Sequence, residues 1–520
     1  MPSLRSFAAA LVASAAFSAQ AANLVIGLSA DVTSIDPHYH NLTPNNAVAL
    51  HLFDTLVLRC EKSQPMPGLA TEWKPVEPTV GEFKLRRGVK FSDGSDFTAA
   101  DVVASIERVP KVPNSPSPFT AYTKQIRKIE VVDPYTIRFH TAQPYPLMPT
   151  DMTQIVIVSK EAAKGTTEEF NNGKAAIGTG PYKLVRYAKG DRIELVRNDG
   201  WWGGKSPWEK VTLRLLTNAA SRVAALLSGD VQAIENVPTA DVAKLKTDKR
   251  LTIFRQVSDR LMYVHMDSDR AVTPFVTAKD GKALDRNPLK DPNVRRALSM
   301  AINRPLIVER VMENEAVPAG QFVPDFLFGA SKNLKVEKAD PEGAKALLAK
   351  AGYPDGFALT LHATNNRYVN DAKIAQAIAQ MWTRAGLKTE VVAMPSATFF
   401  PQATDLKFSV LQAGWSTGTG EASSSLKALV MTYNRDKGFG TANRGRYSNT
   451  KVDALTEDAL MTVDDVKREA YLQRAAEIAI GDTALIPLHF QVSLWATRDG
   501  IAYVPRVDEQ TLAHKFVPKK

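Results

Sequence analysis

The chain has 520 residues, of which 44% are hydrophobic and 23% are charged, a composition typical of a soluble globular protein. This length exceeds what one hydrophobic core supports, so two or three domains are expected. The formal net charge is +10, but lysines and arginines alternate with acids along the chain, which favours a solvated basic surface over nucleic-acid binding. Cys60 is the only cysteine, so no disulfide can form within the chain.

Residues 1–21 contain the three parts of a secretory signal peptide in order. Arg5 supplies the positive region, Phe7 to Phe17 form a short apolar segment, and Ala19-Gln20-Ala21 fits the small-x-small cleavage pattern. No later apolar run is long enough to span a membrane. No cysteine follows the cleavage site to carry a lipid anchor. The mature protein is therefore expected to begin near Ala22 and to be free in the periplasm.

The first half of the chain is predicted to be rich in strands. The predicted strands are residues 23–28, 83–86, 126–132, 136–140, 155–158, 182–185, 192–197 and 211–216. The β-branched run 155–158 predicts a fully buried strand. Thr98-Ala99-Ala100-Asp101 is a capping box and predicts the start of a helix, and further helices are predicted over 47–56 and 221–227.

The second half changes to alternating strands and helices. Asp291-Pro292 and Asp340-Pro341 each supply an N-cap residue followed by proline at the first helical position. A strand at 357–361, a helix capped by Asp371 and a strand at 387–392 form one crossover unit, expected to be right-handed. Later predicted elements are strands at 408–411, 485–490 and 494–496 and a helix over 466–480.

The stretch Leu411 to Glu421 is the strongest candidate for a ligand site. An apolar strand there runs into glycines, hydroxyls and one tryptophan, and such strand ends are where open α/β sheets bind ligands. Trp415 offers a broad apolar face and one N–H donor, and Gly414 would let a ligand approach the backbone. The alternative interpretations are a flexible surface loop and a Trp415 that belongs to the ordinary core.

Five motifs in this order resemble one known family. They are Pro67-Gly68-Leu69-Ala70-Thr71-Glu72-Trp73, Phe83 to Gly94 with Phe97 to Val103, Gly178-Thr179-Gly180-Pro181-Tyr182, Asn293 to Arg304, and Gly414-Trp415. Together they cover nearly the whole mature chain. The chain resembles the extracellular solute-binding proteins of ABC importers in the dipeptide, oligopeptide and nickel class, solute-binding family 5.

The resemblance implies an α/β fold of the periplasmic-binding-protein type II kind, with two lobes that close by a hinge on a buried ligand. The change of rhythm along the chain indicates that the first lobe is discontinuous. The predicted division is residues 22–56, 177–264 and 486–520 for the first lobe, 57–176 for an extra subdomain of that lobe, and 265–485 for the second lobe, with hinges near Met262–Met266 and Ala484–His489.

The resemblance also suggests ligand-binding residues. In peptide-binding relatives an Asp shortly after the Gly-Trp pair anchors the ligand's α-amino group, and Gly418 stands at that position here. Glu421 is the nearest acid, and it is either a substitute anchor or a solvent-facing helix cap before Leu426. The hydroxyls of Ser416 and Thr417 are further candidates in the same loop.

Two other segments complete the predicted site. Arg367 and Tyr368 resemble the pair that meets a peptide's carboxylate and backbone in dipeptide-binding relatives, and an arginine fork suits a carboxylate. The alternative for Arg367 is a surface arginine near a helix cap. Thr33 and Ser34 correspond to the family's N-terminal contribution to the cleft, or they only close an ST-turn.

The predicted function is capture of a peptide-like ligand and its delivery to the membrane permease subunits of an ABC importer by a monomeric protein without catalysis or a cofactor. The absent Asp keeps a non-peptide solute open: an opine-like amino-acid conjugate, a blocked peptide or an oligosaccharide. An exported hydrolase and a holding chaperone or signalling receptor are weaker alternatives, and the sequence has no His-Glu-x-x-His motif and no P-loop. His38, His40 and His51 are candidate metal ligands, but the pattern does not favour a metal site.

Overall fold

The computed structural model describes residues 23–519, so the predicted signal peptide, residues 1–21, lies outside the described part. The described residues form a mixed α/β structure with one large sheet and several smaller ones. Within the same range, no helix is both long and apolar enough to cross a membrane.

Strands dominate the first half of the chain. They are β1 (Asn23–Leu28), β2 (Val57–Arg59), β3 (Pro65–Pro67), β4 (Ala70–Glu77), β5 (Val80–Leu85), β6 (Ile126–Asp133), β7 (Thr136–Thr141), β8 (Tyr182–Ala188), β9 (Arg192–Arg197), β10 (Lys210–Leu215) and β11 (Ala233–Glu235). The remaining strands are β12 (Leu251–Met266), β13 (Val276–Thr277), β14 (Ala316–Pro318), β15 (Ala358–Thr364), β16 (Lys388–Met394), β17 (Val410–Trp415), β18 (Ile486–Arg498), β19 (Ile501–Tyr503) and β20 (Phe516–Pro518).

The helices surround these strands. They are α1 (Thr43–Leu52), α2 (Ala99–Arg108), α3 (Met148–Asp151), α4 (Thr167–Asn171), α5 (Ala219–Ser228), α6 (Thr239–Thr247), α7 (Pro292–Met300), α8 (Arg304–Arg310), α9 (Pro341–Lys350), α10 (Asp371–Arg384), α11 (Ser396–Thr404), α12 (Ala422–Leu429), α13 (Thr450–Met461) and α14 (Asp465–Gly481).

The large sheet runs through both lobes. Its order is β13-β15-β17-β12-β18-β11-β1-β10-β9-β8, with β14 added to β18 and β16 added to β15. β12 and β18 lie at its centre and pair antiparallel along most of their length. β18 pairs with β11 of the first lobe, and β12 pairs with β17 of the second lobe. These two strands therefore connect the lobes.

The pairing of β12 with β18 is interrupted where the lobes meet. The register shifts between Val257 and Leu261, so residues 258–260 form a bulge. Bulges re-aim side chains and bend strands. The predicted hinge at Met262–Met266 pairs with β17 and so lies inside the second lobe. The predicted lobe boundary at 264 and the hinge motion stay predictions.

Separate hydrophobic cores divide the chain in a similar way. The first lobe has one core around β1 and β10 and a smaller one around α5 and α6. The second lobe has one core on each face of its part of the sheet. A further core lies beneath the sheet β4-β5-β7-β6 and draws on residues from Leu56 to Ile157. Phe170 and Ala176 pack in the first lobe's main core. The bounds 57–176 of the extra subdomain stay a prediction.

The predicted strand at 155–158 is wrong. These four residues are buried, but only Val156 forms a bridge, with Thr55. Ile155 and Ile157 face the subdomain core, while Val156 and Val158 face the first lobe's core. The continuous apolar run therefore reflects two cores on opposite sides of one segment, and not a strand inside a sheet.

Several local signals are confirmed. Thr98 and Asp101 form the capping box of α2, and Asp340 caps α9 by accepting a hydrogen bond from the Gly343 backbone N–H. β15, α10 and β16 form the predicted crossover, with the two strands parallel. α10 differs in one detail, because its N-cap is Asn370 in a left-handed conformation and Asp371 is its first residue. The two predicted terminal strands are one strand, β18.

Candidate functional site

The Gly-Trp pair lies at the end of a strand and not in the loop predicted for it. β17 continues through Gly414 and Trp415, which pair with Met262 and Leu261 of β12. Residues 416–420 then form a short loop before α12. The candidate loop therefore begins at Ser416, directly beside the bulge of β12.

Gly414 makes room for a side chain of the protein. A Cβ atom at Gly414 would lie 2.7 Å from Met262 Sδ and 2.8 Å from Tyr368 Cε1. The Tyr368 hydroxyl donates a hydrogen bond to the Gly414 carbonyl at 3.0 Å. The glycine thus fixes Tyr368 against β17, and the predicted close approach of a ligand to this backbone has no space on that side.

The loop that carries Arg367 and Tyr368 is held by Asp371. One oxygen of its carboxylate accepts hydrogen bonds from the backbone N–H groups of both residues, at 3.0 and 3.2 Å. The Thr364 hydroxyl donates to the same oxygen. The sequence predicts Asp371 as a helix cap, but its carboxylate shapes the segment before the helix.

Arg367 has no ion pair and no side-chain hydrogen bond to any of residues 23–519. Its guanidinium carbon lies 5.1 Å from the centre of the Tyr368 ring, and its side chain is exposed. Nearby protein atoms still lower the pKa of the Arg367 guanidinium by desolvation, and the positive charge of Arg260 adds to this. An exposed arginine without an ion pair is suited to an anionic group.

A buried ion pair lies beside Arg367. Arg260, in the bulge of β12, contacts Glu509 with Nη2 at 2.6 Å from Oε2 and Nε at 3.1 Å from Oε1. The Ser258 hydroxyl donates to the same carboxylate at 2.7 Å. Burial acts to raise the pKa of Glu509, but the charge and hydrogen bonds of Arg260 outweigh it and hold that pKa below its usual value. Since Glu509 is paired with Arg260, Arg367 has no ion-pair partner of its own within residues 23–519.

Asp259 joins the bulge to the candidate loop. Its carboxylate accepts hydrogen bonds from the hydroxyls of Ser416 and Thr417. The residue is 1% exposed, and burial raises the pKa of its carboxyl to about 7, against the lowering effect of the Ser416 hydrogen bond. The sequence predicts Ser416 and Thr417 as ligand contacts. In the structure their hydroxyls attach the loop to β12.

Trp415 leaves one donor without a partner. Its ring packs against the core of the second lobe. The indole N–H is buried and has no hydrogen-bond acceptor among the described residues, and the same holds for the Thr419 hydroxyl. A buried donor without an acceptor costs free energy, so these two groups favour a bound polar ligand at the loop.

Glu421 is engaged elsewhere in the second lobe. Its carboxylate forms a bidentate ion pair with Arg468, at 2.9 and 2.7 Å, and the residue is 5% exposed. Glu421 immediately precedes α12, but it faces the interior and makes no side-chain capping hydrogen bond. The structure thus corrects both interpretations of Glu421, since the carboxylate is neither solvent-facing nor available to an α-amino group.

Thr33 and Ser34 are used within the first lobe. The Thr33 hydroxyl is 2.9 Å from His40 Nδ1 and accepts a hydrogen bond from Asn45. Ser34 donates to Asn171 and accepts from the Asp36 backbone N–H, which closes an ST-turn. Ser34 therefore closes an ST-turn, as the alternative interpretation states. The hydroxyls of Thr33 and Ser34 are both engaged by other side chains of the first lobe.

Gly418 is one point of contact between the second lobe and the extra subdomain. Its carbonyl accepts a hydrogen bond from Arg59 of the extra subdomain. A Cβ atom at Gly418 would lie 3.1 Å from the Tyr122 hydroxyl, also in the subdomain. A carboxylate-bearing side chain at this position would meet Tyr122, so glycine here is coupled to the cross-lobe contact.

Sequence reasoning missed Arg59, Asp259, Arg260 and Glu509. Three consecutive polar residues, Ser258 to Arg260, interrupt an otherwise apolar half of β12, and such charges in a buried strand are a usable signal. Glu509 lies in an irregular C-terminal segment and has no comparable local signal.

Residues 414–418 also spell Gly-x-Ser-x-Gly, the spacing of a hydrolase nucleophile elbow. The structural context differs from that of an elbow. The Ser416 hydroxyl donates to Asp259 rather than to a histidine, and Ser416 is not among the residues with positive φ. The strained turn that exposes a nucleophilic serine is therefore not formed here.

The three histidines considered for metal binding have separate hydrogen bonds. His38 Nε2 lies 3.0 Å from the Val156 carbonyl, and His51 Nδ1 lies 2.8 Å from the Ala47 carbonyl. Residues 23–519 contain no group of three or more His, Cys, Asp or Glu side chains arranged to hold a metal ion.

Replacing Asp259 with asparagine is expected to change how stability depends on pH. The folded-state pKa of Asp259, about 7, lies above its usual value of 3.8, so its contribution is present at low pH and is lost as pH rises from about 4 to about 7. The unfolding free energy of Asp259→Asn relative to the unsubstituted protein should therefore rise across this range, by an amount on the order of a few kcal/mol. Urea unfolding of both proteins at pH 5 and pH 8 measures this difference in unfolding free energy. A difference that does not depend on pH would contradict the raised pKa of Asp259.

A family model described as "Bacterial extracellular solute-binding proteins, family 5 Middle" matches residues 64–437. The chain belongs to this family. The resemblance seen in the sequence motifs is thereby confirmed, and the chain is a solute-binding protein of an ABC importer.

Relatives cover nearly the whole chain. The glutathione-binding protein GsiB of Escherichia coli O6:K15:H31 (strain 536 / UPEC) is 30% identical over 491 residues, which span 92% of this chain and 91% of GsiB. The structure of the periplasmic binding protein DppA from Helicobacter pylori in complex with the peptide STSA matches with a TM-score of 0.79 and 23% identity, covering 96% of this chain and 98% of that one. CtaP from Listeria monocytogenes matches with a TM-score of 0.82 and 21% identity, covering 96% of this chain and 100% of that one. These likenesses confirm the two-lobe α/β fold of the family.

Proposed function

We propose that this family 5 protein captures a small peptide-like solute that carries a carboxylate, in the cleft between its lobes. The observation that carries the proposal is the Arg367 guanidinium, which is exposed and unpaired within residues 23–519 while the neighbouring acid Glu509 is occupied by Arg260. An arginine in this state suits a carboxylate of the solute. The names of GsiB and of the DppA complex, which mention glutathione and a peptide, support a peptide-like ligand.

The other polar groups of the site fit such a solute. The buried Trp415 N–H and Thr419 hydroxyl lack partners among the described residues and would bind a carbonyl or amide group. The position of the amino-anchoring Asp is Gly418, and Glu421 is paired with Arg468. We therefore propose that the solute is held by its acidic end and its backbone and not by a free α-amino group at residue 418.

We also propose where the protein acts and how it delivers its solute. The exported protein acts in the periplasm as a monomer, presents the closed and loaded form to the permease subunits of the importer, and performs no catalysis. The engagement of Ser416 with Asp259 supports the absence of a serine nucleophile.

Native mass spectrometry of the protein purified from the periplasm tests the proposal. We expect a carried-over ligand whose mass, after release by denaturation, corresponds to a small peptide-like acid. Arg367→Ala, purified in parallel, should carry less of it. An oligosaccharide or another ligand without a carboxylate would contradict the proposal. Hydrolysis of added peptides that is lost in Ser416→Ala would contradict the non-catalytic assignment.

A further inference from the structure

A large cavity lies at the boundary between the extra subdomain and the second lobe, and Arg367 is not part of its lining. Its volume is about 620 Å³, which is in the range of small-molecule sites. Lys124 and Arg127 line it from the subdomain, and Lys427 and Lys437 line it from the second lobe. We call it the inter-lobe lysine cavity.

The ammonium groups of the two lobes converge in this cavity. A Cβ atom at Gly438 of the second lobe would lie 2.7 Å from Lys124 Nζ, so Lys124 reaches across the boundary. Lys427 Nζ and Lys437 Nζ lie 5.9 and 5.6 Å from the centre of the Phe439 ring. Burial lowers the pKa of the Lys427 ammonium, and the charge of Lys124 lowers it further. Like charges from the two lobes therefore lie close together in this arrangement.

The acids around the cavity compensate only part of this charge. Glu457 forms an ion pair with Lys437 at 3.0 Å. Asp436 also lines the cavity but forms no ion pair with a described residue, and Lys124 and Lys427 likewise have no ion pair or side-chain hydrogen bond within residues 23–519.

Asp151 is the acid that faces Lys427 across the boundary. Its carboxylate accepts a hydrogen bond from the Tyr145 hydroxyl at 2.6 Å, and burial raises its pKa to about 7. Near neutral pH this carboxyl is therefore only partly ionised, so it offsets only part of the charge of the lysines.

We propose that the inter-lobe lysine cavity is a second anionic subsite, which takes a carboxylate of the bound solute between Lys124 of one lobe and Lys427 of the other. The inference rests on the proposed function and narrows it, because it selects peptide-like solutes with a second acidic group. Such a group removes the repulsion that closure creates, so it stabilises the closed form more than the open form.

Matched peptides test this subsite. Calorimetry measures the affinity of the tripeptide Ala-Ala-Ala and of its three single-glutamate counterparts. Each peptide is tested on the unsubstituted protein and on the double variant Lys124→Gln/Lys427→Gln. The control is Lys350→Gln, which changes an exposed lysine at the end of α9. We expect at least one glutamate peptide to bind the unsubstituted protein and the control more than tenfold tighter than Ala-Ala-Ala. In the double variant this preference should disappear, while the affinity for Ala-Ala-Ala stays within about twofold.

The outcomes separate the two proposals. Equal binding of neutral and acidic peptides by the unsubstituted protein, or a preference retained in the double variant, overturns the subsite and leaves the proposed function intact. If none of these peptides binds, the ligand found by native mass spectrometry decides the proposed function, and the thermal shift produced by citrate decides the subsite. If citrate raises the melting temperature of the unsubstituted protein but not that of the double variant, the anionic subsite is supported. An equal shift in both proteins overturns the subsite.

Discussion

Replacing Arg260 with alanine is expected to destabilise the protein by about 3–5 kcal/mol, because Glu509 would be left as a buried charge without its partner. The side chains of Arg260 and Glu509 are only 7% and 13% exposed, and they share a bidentate contact. Chemical denaturation at pH 7 measures the loss. Since the pair lies where β12 leaves the first lobe, the substitution should also weaken solute binding.

An ion pair formed by an exposed arginine of the same strand, β12, provides the control. Arg255 contacts Glu315 at 3.2 Å, but its side chain is 56% exposed and Glu315 keeps a second partner in Lys246. Arg255→Ala should therefore cost no more than about 1 kcal/mol. If Arg260→Ala does not fold, Arg260→Met with Glu509→Gln removes both charges and should recover part of the stability. Equal losses for Arg260→Ala and Arg255→Ala would contradict the importance of the buried pair.

Replacing Arg367 with alanine is expected to weaken solute binding more than tenfold, which corresponds to about 1.4 kcal/mol or more. The guanidinium makes no ion pair within the described residues, so its removal deprives the solute of a charge-assisted contact without breaking one inside the protein. Calorimetry with the solute identified by native mass spectrometry measures the affinity. The unfolding free energy should change by less than about 1 kcal/mol.

Two further variants make this result specific. Arg367→Lys keeps the charge but loses the planar fork, so it should bind with intermediate affinity. Arg310→Ala removes another exposed arginine of the second lobe, whose side chain is 74% exposed and contacts only the neighbouring Glu309, and it should leave affinity unchanged. Unchanged affinity in Arg367→Ala would reject the proposed pocket.

The sequence by itself determined the local features of the fold. The capping box at Thr98 and the proline-led start of α9 each depend on residues a few positions apart, so their geometry can be read directly from the chain. The crossover from β15 to β16 is likewise set by neighbouring periodic segments. The family motifs are short and ordered, and the resemblance they carried proved correct.

The tertiary structure decided which of the predicted site residues remain available to a ligand. Glu421 meets Arg468, and Ser416 meets Asp259, 157 positions away along the chain. Arg260 meets Glu509 across 249 positions. Sequence periodicity reports which face of an element is buried but not which distant side chain lies opposite. For this reason Arg367 and the Trp415 N–H stand out as binding groups only after the long-range partners of the other residues are known.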